Sequence, residues 1–293
     1  MPLTAIVLVL LAGLIHASWN IAAKKANGDV RFAFFIALFT VAVWGPVGLY
    51  LAWQQIGAWN LAAWACVVAS GLIHVAYFIV LLRGYRAADL TVVYPVARGS
   101  GPLLSSAVAI VLFGEHLTVW GMGGIAAVAL GVFLIAGGPS IWRNAHAPEQ
   151  RARTRLGLLY GLVTGLTIAS YTVVDGYAVK ALLLSPILMY YISSIVQLLS
   201  LGPTVLKDRL LLNQHWQTQW KYALAVGAIS PVSYVLVLYA LQIAPLSHVA
   251  PAREVSMLFG ALLGGQLLGE GDRFLRLTGA ACIGLGVAAL SLG

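Results

Sequence analysis

Two arginines stand where arginines are rarely tolerated. Arg98 lies in TVVYPVARGSGPLLSSAV (91–108), between Pro95 and Pro102, and Arg253 lies in PAREVSML (251–258), next to Glu254. A charged side chain at the centre of a spanning helix costs about 2.5–3.5 kcal/mol on insertion scales, so it faces the bundle interior or a watery cavity. Guanidinium presents a planar fork of donors matched to carboxylate, phosphate or phosphonate, and it stays charged. Two such groups facing one cavity make an anion clamp. Glu254 offers either a partner for an ammonium group, which suits a zwitterionic solute, or a carboxylate that carries a coupling proton. A plainer alternative is that Arg98 and Glu254 neutralise each other across the bundle as a structural lock. A pair that opens to admit solute would be both.

Other polar residues fall in the same stretches. Ser100 and Ser256 are candidate substrate-binding hydroxyls, with Ser105 and Ser106 close by. His16, Trp19 and Asn20 lie within one and a half turns of the first apolar segment, and His16 and Asn20, at i and i+4, share a face. They line a cavity or form a satisfied interior polar pair. Tyr77 and Tyr234, accompanied by His74 and Ser233, are further lining candidates. Pro95, Pro102 and Pro251 each remove a backbone donor, and Gly99 and Gly101 add freedom between the first two, so these five are the candidate gating elements. Glu115 and Glu270 recur at the ends of matching segments, which argues for a structural task such as binding amides of the next turn.

Catalysis finds no support in the same inventory. GEGD (269–272) mimics the G-x-G-D of intramembrane aspartyl proteases, with Asp175 as an imaginable partner for Asp272. However, Asp272 falls in a charged loop and Asp175 at a segment end on the opposite side, too far apart for shared acid–base chemistry. Neither a zinc-protease motif nor a nucleotide-binding glycine loop is present, and the two cysteines, Cys66 and Cys282, lie in apolar runs. No metal, cofactor or catalytic residue is expected.

The elements that must hold these residues are membrane helices. Hydrophobic residues make up 61% of the 293 and charged residues only 9%, with a mean hydropathy of +0.92, whereas soluble chains carry about a quarter charged residues. Runs long enough to cross a bilayer, about 20 residues each, fall near 3–23, 32–53, 61–82, 90–113, 118–137, 156–176, 185–206, 221–241, 246–268 and 274–292. The net charge of +8 belongs to loops rather than to a nucleic-acid partner. Fourteen of the seventeen Lys and Arg residues lie in loops after odd-numbered segments, only Lys180 lies on the other side, and Arg98 and Arg253 are the rest. The positive-inside rule therefore puts the odd loops in the cytoplasm and both termini outside an inner membrane. The first run is expected to be a retained helix rather than a cleaved signal peptide. Gly157, Gly161 and Gly165, like Gly260 and Gly264, read as close helix packing. Trp53, Trp59, Trp64, Trp142, Trp216 and Trp220 read as an interfacial belt.

The sequence repeats. PVARGSGPLLSSAVAIVLFGE (95–115) aligns without a gap on APAREVSMLFGALLGGQLLGE (250–270), Arg98 on Arg253 and Glu115 on Glu270. GLIHASWNIAAKKA (13–26) resembles GLTIASYTVVDGYAVKA (165–181). Five spans per half is an odd number, so the copies insert with opposite orientation, as in secondary transporters whose site lies at the midplane between repeats.

With FGEHLT (113–118), LGEGDR (268–273) and the small-residue fifth and tenth segments, the chain resembles the drug/metabolite transporter superfamily, in its ten-helix branch with two EamA-type repeats. HASWN (16–20) is similar to the opening of a subgroup encoded beside phosphonate-utilisation operons. The resemblance implies an all-α integral membrane fold of ten helices as two inverted repeats, 1–138 and 156–293, joined by a basic cytoplasmic linker, 139–155. It implies a carrier of small metabolites by alternating access. In sugar-phosphate carriers of that superfamily, basic residues on the fourth and ninth helices bind phosphate, the places of Arg98 and Arg253. The expectation is a transporter of an anionic or zwitterionic solute, a monomer or weak homodimer, with protons as a possible coupling ion. The alternatives are an exporter of neutral amino acids or drug-like compounds in which the charges are only a lock, and, of another class, a non-transporting sensor or intramembrane enzyme.

Overall fold

The computed structural model describes residues 1–26, 28–88, 90–135, 138, 148–260 and 273–292, which hold ten bounded α-helices, a short 3-10 turn at Ile56–Ala58, a further helical stretch over 255–260 and no strand. The first half contains α1 (Leu3–Ala26), α2 (Val30–Gln55), α3 (Leu61–Ala87), α4 (Leu90–Phe113) and α5 (Val119–Ile135). The second contains α6 (Pro148–Lys180), α7 (Pro186–Val205), α8 (Arg209–Ile243), α9 (Leu246–Ala252) and α10 (Arg273–Leu292). Eight are long and apolar enough to cross a membrane, and α5 is a shorter apolar helix. The few polar residues between them start helices: Asp29, Asn60 and Asp208 accept hydrogen bonds from the amides of Arg31, Ala63 and Leu211.

Two helices are longer than the apolar runs suggest. The sixth begins at Pro148, inside the basic stretch expected as linker, and the eighth begins at Arg209 rather than near 221. Hydropathy marks only the part of a helix that lies in hydrocarbon. The polar turns of PEQRARTR (148–155) continue the same backbone hydrogen bonding into water. The ninth segment departs the other way: α9 stops at Ala252, a turn occupies 253–254, and helix resumes over 255–260.

Helices pack mainly against the other half. The extensive pairings are α5 with α10, α3 and α4 with α6, α1 and α2 with α8, and α2 and α3 with α7. Shifting every helix five places turns α3–α6 into α8–α1 and α2–α8 into α7–α3, and leaves α5–α10 unchanged. That is the contact rule of a two-fold inverted repeat, and it makes the space between halves the core.

Glycines set the distances. A β-carbon on Gly131 would lie 2.5 Å from the Gly279 carbonyl oxygen, and one on Gly279 would lie 2.7 Å from that of Gly131. Gly124 and Gly286 oppose each other in the same way, each 2.8 Å from the other's oxygen. Backbone meets backbone along this seam, which suits association in lipid, where apolar side chains gain little by leaving the solvent. On α6, Gly161 and Gly157 receive Val96 and Val92 of α4, and Gly165 receives Ser100. The small-residue stripe is intramolecular packing, as its spacing suggested. A β-carbon on Gly260, by contrast, would meet nothing within 4 Å among the described residues, so the close packing expected there is not seen, and Gly264 lies outside them.

Candidate functional site

Arg98 sits eight residues into α4, about 12 Å along the axis, on a helix that stays continuous through Pro95 and Pro102. Arg253 sits at the break after α9. Proline at 251 cannot donate to the carbonyl four residues earlier, and that carbonyl, of Ser247, accepts instead from the Ser106 hydroxyl of α4 (3.2 Å). The chain then tightens: the amides of Glu254, Ser256 and Met257 bond three residues back rather than four. This turn projects Arg253 and Glu254 into the interior together.

The three charges converge there. Arg98 Nε lies 2.9 Å from Glu254 Oε2, and Arg253 Nε lies 4.0 Å from Glu254 Oε1. Arg98 also donates from Nη2 to the Ser256 hydroxyl at 2.9 Å. All three charged residues are buried, Glu254 to 1% exposure. The close Arg98–Glu254 contact is an ion pair whose angle misses a hydrogen bond. Both Glu254 oxygens and the Nε of each arginine therefore lack hydrogen-bond partners among the described residues. Glu254 lies between two guanidinium groups, which fits an internal counter-ion and leaves it poorly placed to receive an ammonium. A small cleft between α4, α5 and α9 reaches the pair. Arg98, Glu254, Gly99, Pro102 and Pro251 form one wall, and Val128 and Val132 of α5 part of the other.

Arg253 also lies over the ring of Tyr171, 5.9 Å from its centroid, within cation–π range. Tyr171 is the hub of an aromatic cluster at mid-bundle. His74 stacks on it at 4.1 Å, Tyr77 meets it edge-on at 5.9 Å and Tyr234 at 6.2 Å. Beyond them lies Asp175, 1% exposed, accepting the Tyr234 hydroxyl at 2.5 Å. The sequence suggests that Asp175 closes a helix. Instead α6 continues to Lys180 and holds the carboxylate inside the bundle, on the same face as Tyr171 one turn earlier. Asp272, Gly264 and Glu270 fall outside the described residues.

The remaining candidates divide. His16 packs edge-on against Trp19 at 4.6 Å and lies within electrostatic reach of both arginines. Trp19 Nε1 donates to Ser233 at 3.4 Å. Asn20 is half-buried on the same helix. Ser100 donates to its own helix, at Val96 (2.6 Å), and packs on α6. Glu115 does bind amides, but those of the other repeat: Leu246 donates to Oε1 and Ser247 to Oε2, each at 2.8 Å, at the start of α9. Lys180 adds an ion pair at 3.4 Å. Burial alone would raise the Glu115 carboxyl, but the Ser247 and Leu246 amides and the Lys180 ammonium outweigh it and hold it below the ordinary carboxylate range.

A helical membrane bundle with inverted halves and a charged midplane has known counterparts. The model of the EamA-like transporter family matches residues 3–137 and 155–292, one copy in each half. The chain belongs to the EamA-like transporter family. Among curated proteins, none matches its sequence. A solved crystal structure of another protein superposes with a TM-score of 0.72 over 98% of this chain and 96% of its own, at 16% identity. That likeness speaks for the fold alone. As an EamA-like transporter, the chain moves solute across a membrane. The residues that only the fold brings together are Asp175, His74 and Tyr171, whose positions on three different turns of two helices carry no shared sequence signal.

Proposed function

We propose that this protein is a secondary carrier of a small anionic or zwitterionic metabolite, an organic phosphate or phosphonate, a carboxylate or an amino acid, moved by alternating access between the two halves. The observation that carries this reading is the shared carboxylate. Among the described residues, two buried guanidinium groups, one from each repeat, have a single carboxylate within 4.0 Å between them, and its oxygens make no hydrogen bond. An acidic group on a solute matches the donors that Glu254 leaves unused. Binding would draw Arg98 and Arg253 toward it and loosen the Arg98–Glu254 contact that ties α4 to the α9 break. Solute moves without covalent change, so the arginines bind and gate and nothing catalyses. In this reading the carrier lies in the inner membrane as one chain, with both termini outside, the 139–155 segment in the cytoplasm and protons as coupling ion.

The 2.9 Å Arg98–Glu254 pair favours a second reading. In it the charges only lock the halves, and the solute is a neutral amino acid or drug-like compound. Thermal stability of the purified protein against phosphate esters, phosphonates, carboxylates, amino acids and organic cations separates the two, because a ligand of the folded state raises stability with occupancy. Stabilisation of wild type by acid-bearing solutes, lost in folded Arg98→Gln and Arg253→Gln, is expected, followed by uptake of that solute into proteoliposomes. Stabilisation by apolar or cationic compounds alone, unchanged in both variants, would leave only the lock.

A further inference from the structure

We propose that Asp175 is an ammonium subsite, so that the solute carries a primary ammonium at one end and an acid at the other. This rests on the reading of Arg98 and Arg253 as the acid-binding end. The sequence offers Glu254 as an ammonium partner or a proton carrier, but that carboxylate is held between two guanidinium groups. Asp175 is the other buried carboxylate of the described interior, and it is differently placed. Its Oδ2 accepts from Tyr234, while Oδ1 is buried with no hydrogen-bond partner among the described residues. The Ser70 hydroxyl is a donor within interaction range of the carboxylate, but no bond of good geometry reaches Oδ1 among the described residues. That hydroxyl is also 3.4 Å from His74 Nδ1, which donates to the Ser70 carbonyl at 2.8 Å. An ammonium brings three donors to an acceptor that lacks one.

The walls suit a cation. Tyr190 lies 5.6 Å from Tyr234, and Tyr234 5.8 Å from His74, ring centre to ring centre. These π-faces attract a desolvated ammonium. Tyr171 separates the two ends of the site: Arg253 lies over its ring, and Asp175 lies one helical turn along the same face. Arg253 and Asp175 lie within electrostatic reach of each other, and the proposed zwitterion would join them past that ring.

Charge balance argues the same way. In formal charge Arg98, Arg253, Glu254 and Asp175 are two cations and two anions, all buried, among the described residues. A simple anion would leave this interior with an uncompensated charge, which low-dielectric surroundings penalise by several kcal/mol. A zwitterion leaves the balance intact.

The test uses matched probes on the purified full chain: 2-aminoethylphosphonate, ethylphosphonate and ethylamine, and in parallel L-alanine and propionate. Binding is measured for wild type, Asp175→Asn and Arg253→Gln. The expected result is that a zwitterion binds wild type more tightly than its deaminated partner. Asp175→Asn should weaken that zwitterion about ten-fold or more, the worth of one charge-assisted hydrogen bond, and leave the deaminated acid as before. Arg253→Gln should weaken both. If Asp175→Asn leaves the preference for the amine unchanged, or if the deaminated acids bind wild type as well as the zwitterions, the subsite is overturned while the acid clamp stands. If no acid-bearing probe binds wild type, the clamp and the subsite fall together. Should Asp175→Asn not fold, Tyr234→Phe keeps the carboxylate and removes its competing donor. A preference for the amine that rises supports the subsite, and one that stays the same overturns it.

Discussion

The two halves agree in their cations and disagree in their anions. Arg98 and Arg253 occupy equivalent places in the repeat, yet Glu254 corresponds to Gly99, and Asp175, in the register that aligns Gly13 with Gly165, corresponds to Ala23. The same inequality shapes the backbone. The helix bearing Arg98 runs unbroken past two prolines, whereas the one bearing Arg253 breaks just after Pro251. Symmetry thus supplies the frame and a pair of donors. Among the described residues, the second half alone supplies the buried carboxylates and the turn that breaks the helix. A carrier that must hold one asymmetric solute between symmetric halves gains its polarity from that difference.

Removing Glu254, the carboxylate that lies against both arginines, is the harshest way to break the comparison. Glu254→Gln leaves two buried guanidinium groups uncompensated, and stability in detergent should fall by about 3–5 kcal/mol, read as a lower unfolding temperature. Moving the carboxylate to the equivalent place, Gly99→Glu with Glu254→Gly, should recover part of that loss. A β-carbon at Gly99 meets nothing closer than Val132 at 3.9 Å. An unchanged unfolding temperature in Glu254→Gln would show that the pair is no counterweight.

The seam of α5 and α10 offers a sharper, smaller comparison, because there the halves are equivalent. Gly131→Ala and Gly286→Ala occupy matching positions and should each cost about 1–3 kcal/mol through overpacking. Gly123→Ala, which meets nothing within 4 Å, should be near neutral. Unequal costs at the matched pair would mean that the seam does not share the symmetry of the frame.

Glu115 gives the mildest effect. Its carboxyl is held below the usual range, so its contribution is fully present above an unfolded value of about 4.3 and is lost as pH falls through the folded value. Glu115→Gln should lower stability at neutral pH by about 0.5–2 kcal/mol, the worth of a cap. The difference from wild type should shrink in acid. A difference that holds constant into acid would show that the charge on Glu115 contributes nothing.

The frame was legible because its signals are long. Ten apolar runs, an ungapped match across 21 residues and loop charges on alternate sides each average over many positions. Arg98, Arg253 and Glu254 were legible for the opposite reason: single charges in apolar runs have few explanations. Asp175 is hard to read because hydropathy fades near Lys180, so the apolar run stops near Asp175 although the helix continues to Lys180. The His74–Tyr171 stack escaped because its partners lie on different helices, and aromatic residues in apolar segments are common. Pro251 announced a break, but whether the chain bends before or after a proline depends on which neighbour satisfies the freed carbonyl. Ser106 does so from another helix.

The ion pair between α4 and the α9 break has a consequence for how the chain is made. Arg98 and its serine partner Ser256 are 158 residues apart, and at about 5–20 residues per second of synthesis the interval is roughly 8–30 seconds. Throughout it the first half carries a lone arginine in the bilayer, settled enough to stay inserted yet not neutralised. The nascent first half is therefore a waiting state, completed by the ribosome only when Glu254 emerges. A chain that ends before that residue keeps Arg98 without the carboxylate it pairs with in the finished fold.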